Sequence, residues 1–356
     1  MPLPEAVALL TGGVAPVALR DVTLAEAIGQ VAGADIINAH DLPQHLSALR
    51  DGWAVKADEV LGASPYAPIL LPRAPNWVES GAAMPEGTDA VLPAEAFEGR
   101  SVVADAPVRA GTRAVGEEIA AGTRLMSAGA RITPLRRLAL EEAAIASVAV
   151  RSPCLRLVIS GSPETESLSP LIAALAVADG AIITGVARPA NDADAIAEAI
   201  RDWEADATMV IGGTGFGRGD HAAAALTRAG RIQAHGIALT PGETTAFGEV
   251  AGRPVLLLPG RPDAALSAYL TLGRPLIAAL TGATAPATAT ASLLRKVTST
   301  IGLSEIAFAR RDRAGLMPLG AADLPLRSLI EADAAILVPA EAEGYPAGTP
   351  VAVLPL

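Results

Sequence analysis

The sequence predicts a multidomain protein of α/β plus β class, and three observations predict it. From about residue 154 to 283, apolar strand-like runs alternate with helical stretches, the pattern of a parallel sheet covered on both faces. Between about 51 and 125, short β-prone pieces such as WAVKA, DAVLPA and RSVVADA alternate with Gly, Pro and Asp turns, without a long helical pattern. After the linker TGATAPATATA (281–291), EADAAILVPA and GTPVAVLPL read as strands with a turn between them.

Each element has a local reason. Residues 22–34 (VTLAEAIGQVAGA) have helical spacing, with Asp21 or Thr23 able to cap. Residues 134–147 return to helix, with Pro134 suited to a first turn. These two helices are expected to pack together, which makes the β-rich stretch between them an insertion. In the α/β part, the strands LRLVIS (155–160), AIITGVA, ATMVIGG and VLLLPG (255–260) are each followed by a helical stretch containing several alanines. The expected boundaries are a helical linker domain (1–40 with 126–151), an inserted β domain (41–125), an α/β domain (152–283) and a C-terminal β domain (284–356).

Composition narrows the function. The chain has 356 residues and a net charge of −11, and no basic stripe that a nucleic acid would need is present. Aromatic residues make up only 3%, which argues against stacked-base recognition. The single cysteine, Cys154, excludes intrachain disulfides and thiolate clusters, and it leads into an apolar strand where a structural role is expected. The four histidines are widely separated and give no metal-binding spacing. No apolar run free of charge and breakers stands out as a membrane span, and the start MPLPEAVALL lacks a basic n-region. The expectation is a cytoplasmic protein that binds neither nucleic acid nor membrane.

The chemistry-bearing stretch is IGGTGFGRGD (211–220), which follows the apolar run ATMVI. It fits neither the dinucleotide G-x-G-x-x-G spacing nor a Walker lysine arrangement. Its place is nonetheless informative, because a strand enters the glycine turn and an alanine-rich helix leaves it. Open α/β sheets present ligands at such strand ends, with backbone N–H groups and a helix N-terminus available to an anion. A second strand end, LPGRPD (258–263), carries the same features. The alternative for either loop is that its glycines only shorten the turn.

The order of motifs resembles the molybdopterin molybdotransferase family (MoeA and the gephyrin E domain), enzymes that insert molybdenum into the dithiolene of molybdopterin. The resemblance is carried by RDGWAVKADEV (50–60), ESGAAMPEGTDAVLPAE (79–95), RAVGEEIAAGTRLMSAGARITP (113–134), GGTGFGRGDH (212–221), TPGETTAFGEVAGRPVLLLPGRPDAALSAYL (240–270) and SLIEADAAILVPAEAEGYPAGTPVAVL (328–355). It implies a molybdopterin-binding-type α/β sandwich with the inserted and terminal β domains described above. It also implies a homodimer whose cleft joins the α/β domain of one subunit to the inserted domain of the other.

Carried over residue by residue, the resemblance implies catalytic roles for Asp51, Ser80 and Asp220, with Asp51 and Asp220 as carboxylates for Mg²⁺. It implies a pterin-binding set of Ser160, Gly161, Gly212, Gly213, Gly215, Gly217, Pro241, Gly242, Pro259, Gly260, Arg261 and Pro262. From the residues alone, Asp51 is equally a turn residue before Gly52, and Asp220 equally a cap for a helix beginning at His221.

Several positions depart from the family pattern. Trp53 replaces a tyrosine, and Ser80 replaces a threonine. Ser162 and Pro163 stand where an acidic pair is usual, with Glu164 one position late. Asn191 and Asp192 replace paired aspartates. Thr240 and Glu243 replace lysines, and a glutamate there repels the anion a lysine attracts. Leu326 and Arg327 stand where small polar residues are usual. Arg261, Arg137 and Arg218 are candidate replacement cations. The first functional reading is insertion of molybdate into adenylylated molybdopterin. The alternative is a noncatalytic molybdopterin-binding paralogue that serves as carrier or scaffold for an apo-molybdoenzyme.

Overall fold

The central sheet follows from strands whose apolar side chains alternate between two cores. Its strands are β1 (Cys154–Ile159), β2 (Ile182–Ala187), β3 (Ala207–Ile211), β4 (Arg231–His235), β5 (Ala246–Val250) and β6 (Arg253–Leu258). Leu155, Leu157, Met209, Ile211, Leu256 and Leu258 face one core. Val158, Val210, Val255 and Leu257 face the other. The first core is shared with helices Leu168–Ala178 and Pro262–Thr281, the second with Ala193–Ile200 and Ala222–Ala229.

The structure, a computed structural model, describes residues 1–98, 100–161, 167–201, 204–285 and 289–356. Expectations placed on Ser162, Pro163, Glu164 and the middle of the 281–291 linker lie outside the described residues. The strand order is β2-β1-β3-β6-β5-β4. β1 pairs parallel with β2 and β3, and β3 with β6, whereas β4, β5 and β6 pair antiparallel. The fully parallel sheet expected from the sequence is therefore a mixed one. β4 and β5 carry Arg, Gln, His, Gly and Glu, so their half-polar pattern lacks the apolar signature of the buried strands.

The described chain forms two compact units. One comprises Met1–Ala34, Ala128–Thr133 and Ser147–Leu356, and the other Asp35–Ser127 with Pro134–Ala146. In the first, the strands Leu239–Thr240, Ser304–Asp312, Gly315–Gly320, Ala334–Val338 and Leu354–Pro355 form a second sheet. Ile306, Phe308 and Ala335 on one face join the core beneath the α/β sheet. Ala307, Ala309, Ile336 and Val338 on the other close a small core of their own.

Where a helix was expected over 22–34, the structure has strand Arg20–Thr23, a single helical turn Leu24–Ala27 and strand Val31–Ala32. Thr23 does cap that turn, in a capping box with Glu26. Gly29 at φ 83° then ends it, and Val22, Val31 and Val150 are buried in a three-stranded sheet with Ser147–Arg151. The helix over Pro134–Glu142 forms, and it belongs to the other compact unit from Leu24–Ala27.

In the second unit, strands Asn76–Val78, Gly52–Val55 and Ala90–Leu92 pair in that order. Trp53 lies 5.1 Å edge-on from Trp77 and 5.1 Å from Phe97, and its indole N–H donates to the Ala94 carbonyl. The tryptophan at this position thus has a packing role. The Pro262–Thr281 helix is long and apolar enough to cross a membrane, but 78% of it is buried, so it serves as a core helix.

Candidate functional site

The loops at the C-terminal ends of β1, β3 and β6 converge, with Asn191 and the Gly242–Thr244 turn, on an open cleft of about 680 Å³. That volume suits a small-molecule ligand. A second hollow, beside Ile200, Thr208 and Val255, holds about 10 Å³, room for roughly one water. Gly161, Gly213, Gly215, Gly242, Pro259, Gly260 and Arg261 line the large cleft together with Asp220. Ser160, Gly212, Gly217, Pro241 and Pro262 support these loops from adjoining positions. Asp51 and Ser80 lie in the other unit, where the Ser80 N–H donates to Asp51 Oδ1 at 2.8 Å and the Ser80 hydroxyl to the Leu49 carbonyl.

The glycine loop has a specific construction. Gly213 has φ 65°, and a Cβ there would meet the hydroxyl of buried Ser160 at 2.5 Å, so only glycine fits. The carboxylate of Asp220 folds back into the loop and accepts the Gly217 N–H at 2.8 Å. A Cβ on Gly215 or Gly217 would strike that carboxylate. Asp220 is therefore a clasp of the loop and not a helix cap, since the helix Ala222–Ala229 starts from His221 without a side-chain cap. Phe216 projects from this loop, 87% exposed, with its ring stacked on His235 at 5.2 Å. The His235 Nε2–H donates to the Thr214 carbonyl.

Asn191 ties two loops together. Its Oδ1 accepts the Gly161 N–H at 3.2 Å, and its Nδ2 donates to the Gly219 carbonyl at 3.2 Å. A carboxylate can make the first contact but not the second. Asn191→Asp is therefore expected to set two acceptors against each other and to cost about 1 kcal/mol of stability. Faster amide hydrogen exchange over residues 213–220 would be the accompanying sign. Asp192, the next residue, caps the Ala193–Ile200 helix through the N–H groups of Asp194 and Ala195.

Among known proteins, three family profiles match in order. They are the MoeA N-terminal region (domains I and II) over residues 1–144, a "Probable molybdopterin binding domain" over 157–279, and the MoeA C-terminal region (domain IV) over 325–356. The chain belongs to the MoeA family. Its role lies in molybdenum cofactor biosynthesis. Molybdopterin molybdenumtransferase 2 of Mycobacterium tuberculosis is 29% identical over 296 residues, 71% of this chain and 73% of the relative. The Haemophilus influenzae molybdopterin molybdenumtransferase is 26% identical over 300 residues, 75% of this chain and 74% of the relative. The fold is that of the molybdopterin biosynthesis MoeA protein from Pyrococcus horikoshii OT3, with a TM-score of 0.77, 22% identity and complete coverage of both chains.

Within the MoeA family pattern, the departures acquire locations. Glu243 lines the cleft where a lysine is usual. Burial opposes its ionisation, yet hydrogen bonds from the Thr240 hydroxyl and the Gly242 N–H, with the Arg261 charge nearby, hold its carboxyl below the ordinary range. A carboxyl depressed on folding stabilises the protein above its unfolded pKa, and that stabilisation is lost as pH falls through the folded value. The stability gap between wild type and Glu243→Gln should accordingly be widest near neutral pH and close in acid, as read by urea midpoints across a pH series.

Of the three candidate cations, Arg137 pairs with Glu141 on its own helix in the other unit. Arg218 is exposed on the glycine loop. Arg261 lines the cleft, but its guanidinium is engaged by Asp263 and Asp323. Among the lining residues that escaped the sequence reading are Thr214 and Thr244, whose hydroxyls are hydrogen-bonded to each other at 2.9 Å. Their signal was a threonine in each of GGTG and GETT. Cys154 is half-buried, and burial together with Asp206 pushes its thiol pKa up, which keeps it an unreactive thiol.

Proposed function

We propose that this protein binds adenylylated molybdopterin in the β1–β3–β6 cleft and promotes insertion of molybdate into the pterin dithiolene, with loss of the nucleotide. The observation that carries the reading is the Asp220-clasped glycine loop, which faces the Gly242–Thr244 and Pro259–Arg261 loops in a chain of MoeA-family sequence. Backbone N–H groups of the glycine loop, and the one hydroxyl proton that the Thr214–Thr244 hydrogen bond leaves uncommitted, offer neutral donors to the ligand's phosphates and to molybdate, which enters as substrate. These neutral donors compensate for the lysines missing at Thr240 and Glu243. The carrier reading is not favoured, because the Mycobacterium tuberculosis and Haemophilus influenzae relatives are named as molybdenumtransferases.

Asp220 and Glu243 line the same cleft, and among the described residues no group of three His, Cys, Asp or Glu forms a metal cage. Mg²⁺ is commonly held by one or two carboxylates plus substrate phosphates. The donor set therefore fits a Mg²⁺ delivered with the ligand's phosphates, where it would neutralise phosphate charge. The same reading carries a cytoplasmic homodimer in which Asp51 and Ser80 of one subunit serve the ligand held by Asp220 of the other. Family membership supports it. Mixing Asp51→Asn with Asp220→Asn protein should then restore partial activity, because heterodimers regain one intact site.

The test of the binding step is a fluorescence titration with adenylylated molybdopterin, in the presence and absence of Mg²⁺. Saturable binding that weakens in Gly213→Ala supports the cleft. Binding indifferent to Gly213→Ala would move the ligand elsewhere.

A further inference from the structure

Arg261 is the only Lys or Arg among the described residues that line the cleft, and its guanidinium is divided between two unlike carboxylates. Its Nε and Nη2 donate to Asp263 at 3.2 and 2.7 Å, in a forked contact. The Asp263 side chain is 4% exposed and also accepts the N–H groups of Ala264 and Leu324. That contact is fixed, because losing it would strand a buried charge. The remaining arm, Nη1, donates to Asp323, whose side chain is 82% exposed and has no other partner among the described residues. Both carboxylates keep the guanidinium firmly protonated.

The loop that presents Asp323 is anchored. Leu324 is bound to Asp263 through its N–H and packs against the main core, and Asp323 itself sits at φ 56°. An exposed aspartate is thus held in a left-handed conformation beside Arg261. Exposed pairs contribute little and exchange readily.

We infer that Asp323 is an affinity-setting latch, a carboxylate that occupies the free arm of Arg261 until an oxyanion of the ligand, phosphate or molybdate, displaces it. This rests on the reading of the cleft as the seat of an anionic pterin ligand. The latch offsets part of the attraction between Arg261 and any small anion, so the cleft favours a ligand that also fills the glycine loop over free phosphate.

The test titrates inorganic phosphate, and separately molybdate, into wild type and Asp323→Asn, with ionic strength matched by chloride and the rise in Tm as readout. Asparagine tolerates the left-handed conformation, so the loop is retained. Asp323→Asn should bind both anions about two- to fivefold more tightly, the range an exposed pair can contribute. In an Arg261→Lys background, where a single ammonium stays on Asp263 and offers no second arm, the gain should vanish. Equal affinity of wild type and Asp323→Asn, or no saturable rise in either, overturns the latch. A gain of equal size in the Lys background also overturns it, because simple charge removal then suffices. An adenylylated molybdopterin titration run alongside separates the two readings. Pterin binding with no Asp323 effect sinks the latch alone, whereas an Asp323 effect on anions without pterin binding sinks the proposed function alone.

Discussion

Asp220→Asn is expected to yield a folded protein that has lost Mg²⁺-dependent ligand binding by at least about tenfold. The amide oxygen of asparagine can still accept the Gly217 N–H, so the loop closure survives and stability should change by no more than about 1 kcal/mol. What disappears is a negative charge facing the cleft. If that charge serves only the loop, the neutral variant should bind an anionic ligand as well as wild type or better. If it holds Mg²⁺ against the ligand's phosphates, binding with Mg²⁺ falls to the level seen without it. Titration of both proteins with adenylylated molybdopterin, with Mg²⁺ and with EDTA, separates these cases. Asp220→Ala removes the acceptor as well and should weaken binding under both conditions.

The second large effect lies away from the cleft. Asp179→Ala is expected to lower the unfolding free energy by about 2–3 kcal/mol, the scale of leaving a buried donor without its acceptor and weakening a partly buried ion pair. The Asp179 carboxylate accepts the Tyr269 hydroxyl at 2.6 Å and Arg274 Nε at 3.0 Å, with side chains only 17% and 26% exposed for Asp179 and Arg274. Tyr269 is fully buried, and burial followed by the Asp179 charge pushes its phenol far above the ordinary tyrosine range, so it remains a donor. Arg131 caps the same corner by donating to the carbonyls of Gly29, Ala178 and Asp179. Removal of Asp179 therefore strands a buried hydroxyl and takes one partner from a partly buried guanidinium, whose Nη1 still donates to the Pro355 carbonyl. Urea unfolding should report the loss. Asp179→Asn, which keeps an acceptor, should lose less.

The parts of the fold legible in the sequence are those where burial is one-sided in type. VLLLPG is apolar on both faces, and LRLVIS is so apart from Arg156, because both faces of these strands are covered. β4 and β5 were hidden because strands at that side of the sheet tolerate Gln233, His235 and Glu249. The 22–34 segment misled through spacing: Val22, Leu24, Ala27 and Val31 fit a helical stripe, yet a sheet with Ser147–Arg151, far off in sequence, claims the ends of the segment. Long-range pairing of that kind leaves no local mark.

The site was legible as loops but not as contacts. Glycines at 213, 215 and 217 were visible, but that Asp220 folds back among them was not, because a clasp and a helix cap call for the same residue. Asn191 looked like a lost carboxylate, although its amide makes a bond that aspartate cannot. Of the two partners of Arg261, Asp263 is two positions away and Asp323 is 62 positions away, so only the second contact was beyond local reading.

The central claim is that this cleft supports metal insertion and not storage of the pterin alone. A single-turnover experiment tests it most directly, with protein in excess over adenylylated molybdopterin, molybdate added last, and both released AMP and protein-bound molybdenum measured. The account predicts AMP release that depends on molybdate, matches the molybdenum retained, and is lost in Asp220→Asn. Tight pterin binding with no molybdate-dependent AMP release and no retained molybdenum would contradict it.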